Sequence, residues 1–177
     1  MPTSRPIERA GIALRAVLHL ALLAACAASS GAAAQHTALP VADDLAADGR
    51  DAARRRVPVV ILFSLPDCSY CETVRRNYLL PLAREGEPVR RPIVREAGLA
   101  STVPLQDFDK KAGSGKALAA RYGIRVAPSV VLVDGHGKLL APVLEGGDVS
   151  GMYGAYLDEA LAGARRALSP SSDRIPE

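Results

Sequence analysis

The chain has 177 residues, of which 49% are hydrophobic, and this length fits one small globular domain. The formal net charge is +3, from 22 basic and 19 acidic residues, and there is no Trp and only two Phe. Because the basic residues come in short groups among acidic and apolar ones, without aromatic residues to stack on bases, the composition argues against a nucleic-acid-binding protein.

Residues 1–34 have the pattern of a secretory signal peptide. A basic start is followed by the apolar run Ala16–Ala28, which is short for a membrane span, and by small residues suited to cleavage before Gln35. The stretch Leu23–Cys26 also resembles a bacterial lipobox, so cleavage before Cys26, with a lipid anchor on that cysteine, is the alternative. Either route predicts a periplasmic domain, soluble or lipid-anchored.

The first folded elements are a predicted helix and a predicted buried strand. Residues 41–56 have an amphipathic helical pattern that Asp43 or Asp44 can cap. The next run, Val57–Leu65, is almost continuously apolar and rich in β-branched residues, which is typical of a strand buried on both faces of a sheet.

A pair of cysteines, Cys68 and Cys71, follows this strand directly and begins a helical pattern that runs to about Arg84. We expect Pro81 to cause a kink or a break in that helix near Leu80. The free N–H groups and partial positive charge of a helix N-terminus stabilise a thiolate, so the pKa of Cys68 should be low and the thiol reactive. Cys71, one turn further, can attack a mixed disulfide formed at Cys68, and the pattern predicts a redox-active pair.

Other uses of the two cysteines remain open from the residues alone. A closed zinc site needs about four ligands, and the chain offers few besides the pair, namely His19, Cys26, His36 and His136. A purely structural disulfide across so short a loop would add little stability. Thiolates also suit Cu(I), with His136 as a candidate additional ligand in a copper-delivering module. A further alternative is an interaction module with a vestigial redox pair. We predict no bound metal and no cofactor besides the disulfide.

The sequence pattern in the second half of the chain predicts several shorter strands and helices and a C-terminal tail. Pro92 places one strand near a sheet edge, Gly123 ends a helix, and Pro128 opens another strand. The predicted ranges are a strand at 89–96, a short extended piece at 103–108, a helix at 114–122, a strand at 126–133 with an antiparallel return at 138–144, a helix at about 150–168, and a disordered tail at 167–177.

This order of elements predicts an α/β fold over residues 41–166. Strand–helix–strand connections require a partly parallel sheet, and the closing hairpin adds an antiparallel edge. Since the central strand is apolar on both faces, helices must cover both faces of the sheet. The expected architecture is a three-layer sandwich with a mixed central sheet.

Over these residues the chain resembles the thioredoxin family. The resemblance rests on the Cys68-Ser69-Tyr70-Cys71 turn after a buried strand and on Ala127-Pro128 at the start of a later strand. It implies that Pro128 is cis and keeps metal ions off the thiols. It also implies that the backbone of Ala127 pairs with a substrate peptide, which Ser69 and Tyr70 would also contact. The narrower similarity is to exported thioredoxin-like proteins, including periplasmic thioredoxins of sulfur-oxidation operons, and it rests on the fragments Asp107-Phe108, Ala119–Gly123 and Pro128–Gly137.

The chain also departs from cytoplasmic thioredoxins near the cysteines. Asp67 stands where a Trp precedes the first cysteine, and Leu62 stands where a buried carboxylate often assists proton transfer to the inner one. Water, Asp67 or Glu72 would then take that role. Because no His lies between the cysteines, the resemblance favours a reductase or isomerase over a strong oxidant. The expected partners are exported proteins with disulfides and a membrane electron donor, with no nucleic acid, and we expect a monomer.

Overall fold

The computed structural model describes residues 38–169. The predicted signal peptide at 1–34, with the lipobox alternative at Cys26, and residues 170–177 of the predicted tail lie outside the described residues. No helix within 38–169 has the length and apolar character needed to cross a membrane.

The helices and strands follow the predicted order, with shifts at several boundaries and one strand, at Ala112–Ser114, that was not predicted and pairs with the short extended piece before it. The last helix runs two residues into the predicted tail. In chain order the elements are α1 Leu45–Arg55, β1 Val59–Ser64, α2 Ser69–Val74, a π-helical turn Arg75–Leu79, α3 Leu80–Arg84, β2 Ile93–Gly98, β3 Pro104–Gln106, β4 Ala112–Ser114, α4 Gly115–Arg121, β5 Ser129–Val133, β6 Leu144–Glu145 and α5 Tyr153–Leu168.

The main sheet has the strand order β2-β1-β5-β6. Strand β1 is parallel to β2 and antiparallel to β5, and β6 pairs antiparallel with β5. Every residue of β1 is buried, as the apolar run predicts. The mixed sheet is therefore confirmed, and the strand that follows Pro92 lies at its edge.

Alternate residues of β1 pack against helices on opposite faces of the sheet. Ile61 and Phe63 lie in one apolar cluster with residues of α1 and α4. Leu62 lies in a second cluster with Val74 of α2 and with residues of α5. Because strand side chains alternate between faces, a single buried strand holds both layers of helices, and the three-layer architecture is confirmed. Each fully buried side chain of this size contributes about 1.5–3 kcal/mol.

Helix α1 is held at its start by a cap and in its middle by a close backbone contact. The Asp44 carboxylate accepts a hydrogen bond from the Ala47 N–H at 2.8 Å, as one of the two predicted caps. A Cβ atom at Gly49 would lie 2.3 Å from the carbonyl oxygen of Gly135, so only glycine fits where α1 crosses the turn after β5. Glycine has a low helix propensity, but the close contact between α1 and this turn requires it at position 49.

Of the two outcomes predicted near Leu80, a kink or a break, the break is wrong, because the chain stays helical through Pro81. The helix continues from α2 through the π-helical turn into α3, and the Leu80 N–H donates to the Arg75 carbonyl, five residues earlier. Pro81 falls in the first turn of α3. A proline is tolerated at the start of a helical segment because the N–H that it lacks has little use there.

Two predicted strand ranges are also corrected. Residues 87–90 form a turn closed by the Arg90 N–H on the Glu87 carbonyl, so β2 starts later than 89. The return predicted at 138–144 makes only an isolated bridge at Leu139 before β6 begins at Leu144. Pro142 explains the interruption, because it has no N–H to give to a strand ladder.

Candidate active site

The two cysteines lie where the buried strand β1 gives way to α2. They are joined by a disulfide, with their Cα atoms 5.2 Å apart. Cys68 is the N-cap of α2, and its Sγ accepts a hydrogen bond from the Cys71 N–H at 3.1 Å. An N–H directed at this sulfur, together with the helix dipole, stabilises negative charge on Cys68.

The two sulfurs differ in accessibility. Cys68 is half-buried, whereas Cys71 has a relative accessibility of 0%. The apolar side chains behind the helix, such as Val74 and Leu62, are fully buried as well. Of the two cysteines, only Cys68 is therefore accessible to a reactant arriving from solvent.

The other predicted site residues lie at the same end of the sheet. Strand β5 begins at Ser129, opposite Phe63 of β1, so the preceding Pro128 lies beside the segment that leads to Cys68. The Ala127–Pro128 peptide bond is cis, Pro128 is buried and Ala127 is half-buried. The Pro128 carbonyl accepts the Gly146 N–H at 2.8 Å.

The dipeptide between the cysteines faces solvent. Ser69 is exposed, and the Tyr70 side chain, 55% exposed, lies against the backbone of Gly147. Since Gly146 binds Pro128 and Gly147 contacts Tyr70, the turn after β6 connects the cysteine segment with the proline segment. The structure thus brings the six predicted residues to one end of the sheet; their roles toward a substrate remain a prediction.

A network of charged side chains that the sequence did not predict lies beside the pair. The Glu96 carboxylate of β2 accepts hydrogen bonds from Arg75 Nε at 2.8 Å and Nη2 at 2.6 Å. It also accepts the Ser64 hydroxyl at 2.6 Å, and Arg75 makes a further short ion pair with Glu72. Glu96 and Arg75 are each only 17% exposed, so this pair joins β2 to the π-helical turn after α2 largely away from bulk water, whereas Glu72 is exposed.

Both members of the Glu96–Arg75 pair are held in their charged forms. Burial alone would raise the pKa of the Glu96 carboxyl, but the hydrogen bonds from Arg75 and Ser64 outweigh it, so that pKa lies below its ordinary value. The same hydrogen bonds raise the pKa of Arg75. The pair is therefore ionised at neutral pH.

These side chains line an open cavity of about 650 Å³ beside Cys68. Its wall includes Asp67, Glu72, Arg75 and Glu96, together with the end of β1. Cavity and sulfur together form a site where part of a substrate can lie next to the reactive atom.

Glu96 lies directly across from Leu62 in the parallel β1–β2 register. Residues paired in this way point to the same face of a sheet. A half-buried carboxylate thus lies beside α2 on the neighbouring strand, whereas Asp67 and Glu72 are exposed; which group assists proton transfer stays a prediction. The sequence carried one local signal, because Cys68, Glu72 and Arg75 are spaced to share a helix face.

The histidine considered as a copper ligand lies far from the sulfurs along the sheet. His136 is exposed in the turn after β5, next to the start of β1, because Val133 pairs with Val59. Its N–H donates to the Asp134 carboxylate at 2.8 Å. His36 lies outside the described residues. Within residues 38–169, no group of three or more His, Cys, Asp or Glu side chains could hold a metal ion.

Comparison with known proteins identifies the family. A family model described as a thioredoxin-like domain matches residues 45–160, more than half of the chain. No curated protein sequence matches significantly. Among solved structures, the chain is similar to a thioredoxin-fold protein from Helicobacter pylori, with 19% identity, a TM-score of 0.47 and coverage of 67% of this chain and 77% of that one. It is also similar to a DsbH oxidoreductase, with 16% identity, a TM-score of 0.44 and coverage of 76% and 92%.

Proposed function

Because this chain belongs to the thioredoxin-like family, we propose that it is an exported thiol–disulfide oxidoreductase that reduces or isomerises protein disulfides. The observation that carries the proposal is the asymmetry of the pair. Cys68 caps a helix and lines an open cavity, while Cys71 is bonded to it and fully buried. This arrangement suits an attacking thiol with a resolving thiol behind it.

The reaction proceeds through two sulfur exchanges. The Cys68 thiolate attacks one sulfur of a substrate disulfide, a mixed disulfide forms, and the displaced substrate sulfur takes up a proton as a thiol. The Cys71 thiolate then attacks Cys68, releases the second substrate thiol and closes the Cys68–Cys71 disulfide. Two electrons and two protons have passed from the protein to the substrate. A membrane-bound dithiol donor would reduce the pair again for the next turnover.

The surroundings of the pair supply a docking surface in this proposal. An extended substrate segment would lie across Tyr70 and Ser69 and pair with the backbone at Ala127, beside the buried Pro128. The 650 Å³ cavity would receive a substrate side chain on the other side of Cys68. The partners are exported proteins with disulfides. The protein would act as a monomer in the periplasm, soluble or attached through a lipid at Cys26.

Trapping of substrates tests this function. Cys71→Ser keeps the attacking thiol and removes the resolving one, so exported proteins should accumulate as mixed disulfides that dithiothreitol releases. Cys68→Ser is the matched control, and it should trap almost nothing because the remaining thiol is buried. The wild-type protein should also reduce insulin with dithiothreitol as the donor. If Cys71→Ser traps no protein and the wild type does not reduce insulin, the oxidoreductase function is rejected. If the wild type then retains Cu(I) through gel filtration, copper delivery is favoured instead.

A further inference from the structure

The cavity beside Cys68 carries more negative than positive charge. Three carboxylates, Asp67, Glu72 and Glu96, line it together with one guanidinium, that of Arg75. Glu96 is ionised because its hydrogen bonds from Arg75 and Ser64 lower its pKa. Neither a lysine nor a histidine is among the residues that line the cavity. The side chains that line the cavity beside the attacking sulfur therefore have a net formal charge of −2, from three carboxylates and one guanidinium.

The helix geometry places this charge on the face that carries Cys68. Glu72 is four residues and Arg75 seven residues after Cys68, which is the spacing of one helix face. Arg75 contacts Glu72 on its own helix and Glu96 on β2, so one side chain fixes both carboxylates in position. Since Arg75 and Glu96 are largely withdrawn from water, their field on Cys68 is less screened than that of surface charges.

Two opposing effects then act on the Cys68 thiolate. The Cys71 N–H and the helix N-terminus favour the thiolate, whereas the carboxylates of the cavity disfavour it. The end of β6 and the turn after it, which contacts Tyr70, carry the acidic residues Glu145 and Asp148, and Asp148 accepts a hydrogen bond from the Tyr78 hydroxyl. These two residues add no positive charge.

We propose that the cluster of Glu72, Arg75 and Glu96 is a positioning device that holds negative charge beside Cys68 and thereby makes the dithiol a stronger reductant. This inference rests on the proposed function and assigns the direction of electron transfer, from the dithiol to the substrate. A disfavoured thiolate makes the reduced form less stable relative to the disulfide, so the pair more readily gives its two electrons to a substrate. Glu72 and Glu96 act through Cys68 and need not touch the substrate.

Charge-changing variants test the device directly. In a Cys71→Ser background, only Cys68 of the pair titrates, and its pKa can be followed by thiolate absorbance. Glu72→Gln and Glu96→Gln should each lower that pKa and raise the thiolate fraction at acidic pH roughly three- to tenfold, whereas Arg75→Gln should raise the pKa. Glu72 is exposed, so its variant should fold even if Glu96→Gln is destabilised.

The reduction potential of the intact pair gives the second measurement. At equilibrium with glutathione, Glu72→Gln and Glu96→Gln should shift the population toward the reduced form, and a tenfold change in the equilibrium constant corresponds to about 30 mV. Arg75→Gln should shift it toward the disulfide. The double variant Arg75→Gln/Glu96→Gln keeps the formal charge of the cavity and should return close to the wild-type value.

Asp48→Asn is the matched control. Asp48 of α1 makes an ion pair with Arg95, the residue before Glu96, at a distance similar to that of the Glu96–Arg75 pair. This pair lies on the opposite face of β2, against α1. Its removal deletes the same charge without changing the cavity, so the pKa of Cys68 should not move. A shift in Asp48→Asn as large as that in Glu96→Gln would mean that loss of an ion pair, not charge at the site, is responsible.

The inference is overturned if both carboxylate variants leave the pKa of Cys68 and the glutathione equilibrium unchanged, or if Arg75→Gln moves them in the same direction as Glu96→Gln. These measurements do not depend on a protein substrate. If the expected shifts occur while the wild-type protein neither reduces insulin nor traps exported proteins, the proposed function fails and the charge effect on Cys68 stands.

Discussion

The ring of Tyr70 lies against the backbone of Gly147, so closely that a Cβ atom on Gly147 would come within 2.8 Å of the ring carbon Cδ1. Tyr70 belongs to the segment between the cysteines, and Gly147 belongs to the turn after β6. The next residue back, Gly146, donates its N–H to Pro128. A side chain exposed to solvent thus contacts a part of the chain that is distant in sequence.

Replacing Gly147 with Ala should displace Tyr70 at some cost in stability. A Cβ atom on residue 147 would lie 2.8 Å from the ring carbon Cδ1 and 2.9 Å from Tyr70 Cβ, so rotation of the ring alone does not relieve the clash, although Gly147 is not among the glycines with positive φ. We expect KM for a disulfide substrate to rise roughly three- to tenfold with kcat nearly unchanged, as for loss of a positioning contact. Gly163→Ala, on α5 and in ordinary contact with its surroundings, is the control and should leave KM unchanged. Equal kinetics for both variants would contradict a docking role for Tyr70.

The two thiols of the reduced protein should differ strongly in alkylation rate. Cys68 is partly accessible and caps a helix, whereas Cys71 is buried. Iodoacetamide should modify the Cys71→Ser variant much faster than the Cys68→Ser variant, and the pKa of Cys68 should lie below about 8.5, the value of a free thiol. Mass spectrometry after timed quenching measures both rates. Similar rates for the two variants would refute this asymmetry.

Stability should depend on pH through Glu96. Its pKa is lowered in the folded protein, so its contribution is present above the unfolded-state pKa of about 4.3 and is lost as pH falls through the lower folded value. Glu96→Gln should cost about 1.5–3 kcal/mol of unfolding free energy at neutral pH, because it removes hydrogen bonds to a charged group. That difference should shrink below about pH 4. Urea unfolding at a series of pH values measures it.

Glu87→Gln is the control for this pH dependence. Glu87 pairs with Arg90 at 3.6 Å, but both side chains are largely exposed. An exposed pair is screened by water and contributes little, so this variant should unfold like the wild type at every pH. A pH profile of Glu96→Gln parallel to that of the wild type would show that Glu96 contributes no linked stability.

The mature protein should lack its N-terminal segment. The basic start, the apolar run and the small residues before Gln35 predict cleavage at that point, or before Cys26 with lipid attached. Intact mass of protein recovered from its native host distinguishes these two starts. A chain that retains Met1 would contradict export and the periplasmic location proposed from it.

The sequence predicted the site best where its signals were local. The apolar run before Cys68 identified a buried strand, and the position of the two cysteines directly after it identified a helix start. The asymmetry of Cys68 and Cys71 followed from these two facts alone. Buried strands and helix starts depend on residues within a few positions of each other, and one sequence contains that information.

The Glu96–Arg75 pair could not be predicted in the same way. Arg75 and Glu96 are 21 residues apart, and Ser64 and Glu96 are 32 apart. Which residue of β2 lies across from Leu62 depends on the strand register, and the predicted start of β2 was several residues too early. An error of one residue would have placed Arg95 on this face instead, since neighbouring strand residues point to opposite sides.

The surroundings of the disulfide come from segments that are distant in the chain: the end of β1, the start of α2, β2, the residue before β5 and the turn after β6. In the unfolded chain these segments separate, and the two cysteines become an ordinary dithiol. A thermodynamic cycle then links electron transfer to folding. The free energy by which the folded surroundings stabilise the disulfide relative to the dithiol equals the difference in unfolding free energy between the oxidised and reduced domains. A pair that is strongly reducing thus belongs to a domain that unfolds more readily once it has received electrons.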